Sequence, residues 1–243
     1  MSAIPLTFSA PSIMTTEEWV GFIRIEGNET TLFHDEITVG STTVTMKNID
    51  TGEYEDLTME SPTVLGALAV AADQAGFSYE LEYWPSWDAI LVKSIGDESD
   101  WWHFLVDYSI PMISADNYLL FDNDTSILWG YLEDWYVHAL QVSVDRTEIK
   151  KNEDIIVTVT DELQQPASNA LIYIGDDCYE ADNGVAVISF DEPGSYEIYA
   201  ESDGYIRSET IGITVQKAKL SFFELLDLFF EYSMIRKIFY PFI

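Results

Sequence analysis

The sequence of 243 residues has one cysteine, three histidines and 11 lysines and arginines against 43 aspartates and glutamates. Each shortage removes a class of chemistry. Cys178 alone permits no internal disulfide and no thiolate metal cluster, and its expected role is that of a small buried hydrophobe. His34, His103 and His138 lie far apart and show neither His-x-x-x-His nor Cys/His spacing, so no zinc motif is present and no metal residue is assigned. Eleven dispersed bases cannot form the stripe that displaces phosphate counterions, which excludes nucleic acid as a partner.

The sequence also lacks a Gly-rich phosphate loop, a G-x-S-x-G elbow and a Cys/His nucleophile arrangement. Acid pairs are then the only abundant catalytic material. Among 43 acids such pairs arise without function, and a non-enzymatic protein is expected. The acidic stretches "DND" at 122–124, "GDESD" at 96–100 and "GDDCYEADNG" at 175–184 lack the spaced ligands of an EF-hand and read as solvated turns. Residues 1–16 form a leader without the basic region and apolar run of a signal peptide, and "SAIPL" fits a processed mature end. The sequons at Asn28 and Asn123 point the same way, to an extracellular or cell-surface location.

What is present is apolar material: 47% hydrophobic and 14% aromatic residues make a folded protein whose net charge of −32 belongs to its surface. The length suggests two domains. "WVGFIRIEG", "TLFHDEITVG" and "TTVTMKNID" read as strands of an antiparallel start. A helix follows, with Ser61 as N-cap, Pro62 in its first turn and Gly76 as its stop. Val64, Leu65, Leu68, Ala71, Ala72 and Ala75 form its packed face, while Asp73 and Gln74 look outward. From His138 six short alternating strands separated by "DNG", "EPGS" and "SDG" predict a β-sandwich. No Gly or Pro breaks the passage into it, and Trp135 and Tyr136 are placed to fill that junction.

Three ordered motifs then carry a likeness. "TVLGALAVAA", "WWHFLVDY" and "YLLFDNDTSILWGY" together resemble the helix, the central strand and the closing segment of the transcobalamin C-terminal-like family, over residues 17–137. The resemblance implies an α+β, β-grasp-like domain with one main helix. Trp102, Phe104 and Val106 match the strand motif, but Asp107 and Tyr108 stand where Asn-Gly is usual, which implies a longer, Pro-containing loop in place of a tight hairpin. Residues 138–216 resemble an immunoglobulin-like surface module. The combination is similar to that of archaeal and bacterial surface proteins, and it implies binding, adhesion or envelope assembly. The family also includes domains covering one face of cobalamin, so the alternative is a corrinoid or other small-ligand carrier; no cofactor is assigned.

Strand alternation puts Trp102, Phe104 and Val106 on a core face and Trp101, His103 and Leu105 on the other. That second face is either an ordinary packed surface or a groove, in which Trp101, His103 and Tyr108 are the candidate ligand-binding residues. The tail at 217–243 crowds Phe222, Phe223, Leu226 and Phe230 on a wide apolar face beside Glu224, Asp227 and Glu231. Its charges disfavour a transmembrane span, and acids on the polar face disfavour lipid. An amphipathic helix is expected that docks on its own domains or associates with copies of itself or another surface protein.

Overall fold

A computed structural model describes residues 18–217. The leader at 1–16 and, apart from Lys217, the C-terminal helix with Phe222, Phe223, Leu226 and Phe230 lie outside the described residues. The fold is mainly β, with one helix among the described residues, and it divides into two units. Unit 1 takes the chain up to Gln141 together with Thr160–Gln165 and Glu201–Glu209. Unit 2 takes Val142–Val159, Pro166–Ala200 and the chain from Thr210.

Unit 1 begins with a hairpin of β1 (Trp19–Glu26) and β2 (Thr31–Val39), and a second of β3 (Thr42–Asn48) and β4 (Tyr54–Met59). Helix α1 (Val64–Ala75) leads to β5 (Tyr79–Trp84), β6 (Ala89–Ile95) and the short β7 (Glu98–Ser99). Strands β8 (Trp102–Val106) and β9 (Ser126–Tyr131) close the unit. One sheet has the order β2-β1-β9-β8 and the other β4-β3-β5-β6-β7. In the first, β1 and β9 run parallel at the centre with antiparallel neighbours outside, and a helix lies between the two halves in sequence; this is the β-grasp arrangement. Its core gathers Trp19, Ile23 and Ile25 of β1 with Leu65 and Leu68 of α1, Leu81, Ile95 and Trp129. Each such aliphatic side chain contributes about 1.5–3 kcal/mol on burial.

The helix starts two residues later than the sequence suggests. Thr63, not Ser61, is the N-cap, its hydroxyl accepting from Gly66 N at 3.0 Å. The chain is still extended there, because Thr63 bridges to Leu119 and Pro62 O accepts from Leu120 N. The next two amides are also satisfied by that loop, Val64 N by Tyr118 O and Leu65 N by Ala115 O. Gly76 ends the helix as expected, at φ 77° with its N–H on Ala72 O. Ala75, expected on the packed face, is exposed in the last turn.

Unit 2 is a two-sheet sandwich. It contains β10 (Gln141–Val144), β11 (Glu148–Lys150), β12 (Asp154–Thr160) and β13 (Leu171–Ile174), of which the end residues Gln141 and Thr160 belong to unit 1. Then come β14 (Asp177–Glu180), β15 (Val185–Ser189), β16 (Gly194–Glu201, whose last residue belongs to unit 1) and β17 (Ile211–Gln216). The sheets are β10-β12-β15 and β11-β17-β16-β13-β14, an immunoglobulin-like layout with β11 parallel to the last strand. Ile155, Val157, Ile172, Ile198 and Ile213 alternate into its core. Strands β11 and β14 escape pattern reading, since three and four residues carry too little alternation.

Three further expectations are corrected. Cys178 lies exposed on β14, because its partner across the hairpin, Tyr173, shares an outward-facing register. Trp135 and Tyr136 are 84% and 78% exposed, standing on a turn that projects them outward. At Asp107 the turn is tight: Val106 and Ser109 exchange both backbone hydrogen bonds across two residues, with Asp107 at φ 46° and Tyr108 at φ 58°, and the expected long connection with Pro111 follows it, from 109 to 125, before β9. The primed turn that normally needs Asn-Gly is made by Asp-Tyr.

Candidate functional site

The outward face of the sheet β2-β1-β9-β8 gathers the candidate residues. On β8, Trp102 and Val106 are buried in the core, while His103 and Leu105 face outward as alternation requires. Leu105 packs there with Leu128, Ala139 and Ile206. Ile206 covers Gly130 so closely that a Cβ there would stand 2.4 Å from it.

Trp101 and His103 both engage the segment after β9. The Trp101 carbonyl accepts from Leu132 N at 3.0 Å, and its indole meets Trp135 edge-on at 5.3 Å and 72°. His103 Nε2 lies 3.2 Å from Leu132 O, which makes it the protonated nitrogen. Burial lowers the pKa of His103 below its ordinary 6.5. The turn is braced by Asp134, whose carboxylate accepts from Tyr136 N at 3.0 Å. Tyr108 is separate from this pair. It sits in the turn after β8, packs against the group of Leu105, Leu128, Ala139 and Ile206, and joins a charged cluster through Glu209.

That cluster is the principal feature the sequence reading misses. Arg24 and Glu26, two apart on β1, share the outward face and are only 5% and 1% exposed. Arg24 Nη1 donates to Glu26 Oε2 at 3.0 Å and to Arg207 O at 2.9 Å. Arg207 donates through Nε to Glu26 Oε1 at 2.9 Å, a second contact to that oxygen coming from Nη2, and through Nη1 to Glu29 O at 3.0 Å. Thr31 adds its hydroxyl to the Glu26 carboxylate at 2.9 Å. Beside them the Tyr108 hydroxyl donates to Glu209. Burial drives the phenol pKa far above its ordinary value, with Glu209 adding to the rise. His34, opposite Arg24 in the β1–β2 register, is lowered by burial first and by the Arg24 charge second.

Asp107 holds the strained turn in place. Its carboxylate accepts from the backbone amides of Thr125 and Ser126 and from both their hydroxyls, the shortest at 2.7 Å. These bonds bring its pKa below the usual carboxylate value against the opposing effect of burial. Arg24, Glu26, Asp107, Tyr108 and Arg207 are thus engaged in fixing structure, while Trp135 and Tyr136 are displayed to solvent. An open groove of about 860 Å³ lies elsewhere in unit 1, beside the C-terminal half of α1, with Thr42, Ala69, Asp73, Phe77 and Tyr79 among its walls; none of the candidate residues lines it.

Among the described residues no group of three or more His, Cys, Asp or Glu is placed to hold a metal ion, and no helix is long and apolar enough to cross a membrane. No protein family matches the sequence, and no curated protein matches it. Among solved structures, the D00-D0 domain of intimin is similar at 12% identity, over 52% of this chain and 90% of that one, with a TM-score of 0.24. Murine CEACAM1b is similar at 10% identity, over 82% of this chain and 100% of that one, with a TM-score of 0.26.

Proposed function

We propose that the protein is a non-enzymatic extracellular surface protein that works by binding, in adhesion or envelope assembly. The observation that carries this reading is the exposure of Trp135 and Tyr136 on a braced turn, with Trp135 meeting Trp101 edge-on. Large aromatic side chains held rigidly in water lose little conformational entropy on contact and bury much area, which is the composition of interface hot spots. The acids around them, Glu133 and Asp134, suit a partner surface that is not itself strongly acidic. The tail residues Phe222, Phe223, Leu226 and Phe230 supply the association face, joining copies of the chain or another surface protein.

Beads carrying the full chain are expected to bind envelope preparations saturably. The Trp135→Ser/Tyr136→Ser variant, unchanged in circular dichroism, should bind about tenfold more weakly, as hot-spot truncation does. Equal binding by the variant would remove the reading.

A second reading, a corrinoid carrier, draws on the transcobalamin-like motifs and on the His103 imidazole standing beside the Trp101–Trp135 pair. It requires that cobalamin quench tryptophan fluorescence saturably, with Trp101→Ala weakening the quench. A flat titration eliminates it and leaves the adhesion reading untouched.

A further inference from the structure

Away from that face, the tip of the β5–β6 hairpin carries the sequence Trp84-Pro85-Ser86-Trp87-Asp88. The indoles of Trp84 and Trp87 stack at 5.1 Å and 9°, so one face of Trp87 rests on Trp84 while the residue remains 68% exposed. The tip is fixed from several sides. Trp87 N donates to Trp84 O at 3.0 Å, Pro85 restricts the first turn position, and Asp88 takes φ 49° with its carboxylate accepting from the Tyr83 hydroxyl at 2.9 Å. Leaving a tryptophan this exposed forfeits burial, and a second tryptophan is spent to keep its ring at one angle.

We propose that this tip is a stacking site for a neutral saccharide, taken up through the C–H face of one pyranose ring. The open face of Trp87 is the negative pole of the indole quadrupole, and it is flat. A pyranose offers a flat face of C–H bonds, each polarised positive at hydrogen, with hydroxyls around its rim. Those hydroxyls need both donors and acceptors, and the exposed Ser86 and Asp88 on either side of Trp87 supply a hydroxyl and a carboxylate. A net charge of −32 opposes anionic ligands, including acidic sugars. A cation would be attracted by the ring, but cation recognition uses several aromatic walls around the charge, and here one wall lies flat upon the other. Tyr54, 74% exposed, stands on the same face: it pairs with Lys47, which pairs with Glu82, two residues before Trp84. Two strand spacings separate the Tyr54 and Glu82 rows, about 9.6 Å, so a chain of sugars engages more of this surface than one ring does.

This inference rests on a surface distinct from the Trp135 turn and stands or falls separately. The full chain should be titrated with cellohexaose, mannohexaose and chitohexaose, followed by calorimetry and by the indole N–H resonances of Trp84 and Trp87. At least one hexasaccharide is expected to bind saturably, more tightly than its monosaccharide. Trp87→Ala, at an exposed position that leaves thermal melting unchanged, should weaken binding at least about tenfold, while Trp135→Ala should not. The proposal is overturned if no hexasaccharide binds at about 10 mM, well above weak-site dissociation constants. Binding that survives Trp87→Ala would overturn it too, as would displacement by tetramethylammonium, the mark of a cation site.

Discussion

The two faces of the sheet β2-β1-β9-β8 are made by alternate residues of the same strands, and they achieve burial by different means. Along β1, Trp19, Ile23 and Ile25 turn inward to an apolar core, while Arg24 and Glu26 turn outward and are buried just as deeply. The inner face is held by non-directional area. The outer face is held by charge pairs whose geometry must be right, since Arg24 Nη2 remains without a hydrogen-bond partner even there. An apolar face tolerates changes of shape; a buried ionic face tolerates replacement of the whole set but not the loss of one member.

The sharpest break in that comparison is Arg207→Ala. It leaves Glu26 buried with Arg24 as its remaining cation and should destabilise unit 1 by about 3–5 kcal/mol in denaturant unfolding. The triple variant Arg24→Met/Glu26→Leu/Arg207→Met, which empties the face of these charges together, should lose far less than the single one. If it loses more, the outer face owes its stability to the ion pairs themselves. On the inner face, Leu68→Ala should cost about 2–5 kcal/mol, with no comparable rescue by a second substitution.

Next in size is the turn that follows β8. Asp107→Ala removes the acceptor for Thr125 and Ser126 and leaves alanine in a left-handed conformation, for an expected loss of about 1–3 kcal/mol in the same assay. Asp107→Asn, which tolerates that conformation, should lose less.

The smallest effect is pH dependence. His34 and His103 both titrate below 6.5 in the folded protein, so in that window the unfolded chain binds more protons. Their contribution is present in full above 6.5 and is lost as pH falls from there to the depressed folded values. Melting temperature should therefore decline on acidification through that range, and His103→Gln should flatten part of the decline. A profile unchanged by that variant would show that His34 and the carboxylates account for it.

Much of the architecture is legible in sequence because alternation is local: the strands of both units, the stop at Gly76 and the inward Trp102, Phe104 and Val106 all follow from neighbours a few residues apart. The outer face is not. Arg24 and Glu26 look like ordinary solvent-facing residues until Arg207 arrives from 181 positions away in sequence. The available hint was opposite charges two apart in "FIRIE", among isoleucines, on one face of a strand. The turn at Asp107–Tyr108 was misread for the same reason. Its strained backbone is compensated by Thr125 and Ser126, which no turn propensity contains. Trp101 and His103 both engage the segment after β9, but Tyr108, in the turn after β8, joins the ionic cluster.

Glu201–Glu209 belongs to unit 1 although the chain on both sides of it belongs to unit 2. This has a consequence for biosynthesis. A chain emerging from the ribosome can pair β1 with β2 at once, but the central β1–β9 pairing waits for Ser126–Tyr131, and Glu26 waits for Arg207. At about 5–20 residues per second, the 181 residues between them take roughly 9–36 s to make. For that time the nascent first unit carries a carboxylate destined for burial with Arg24 as its only counterion from β1, and from the synthesis of Gly130 until that of Ile206 it also carries an uncovered glycine. The N-terminal unit is thus the first to start folding, and its last piece is delivered only when most of the second has been synthesised.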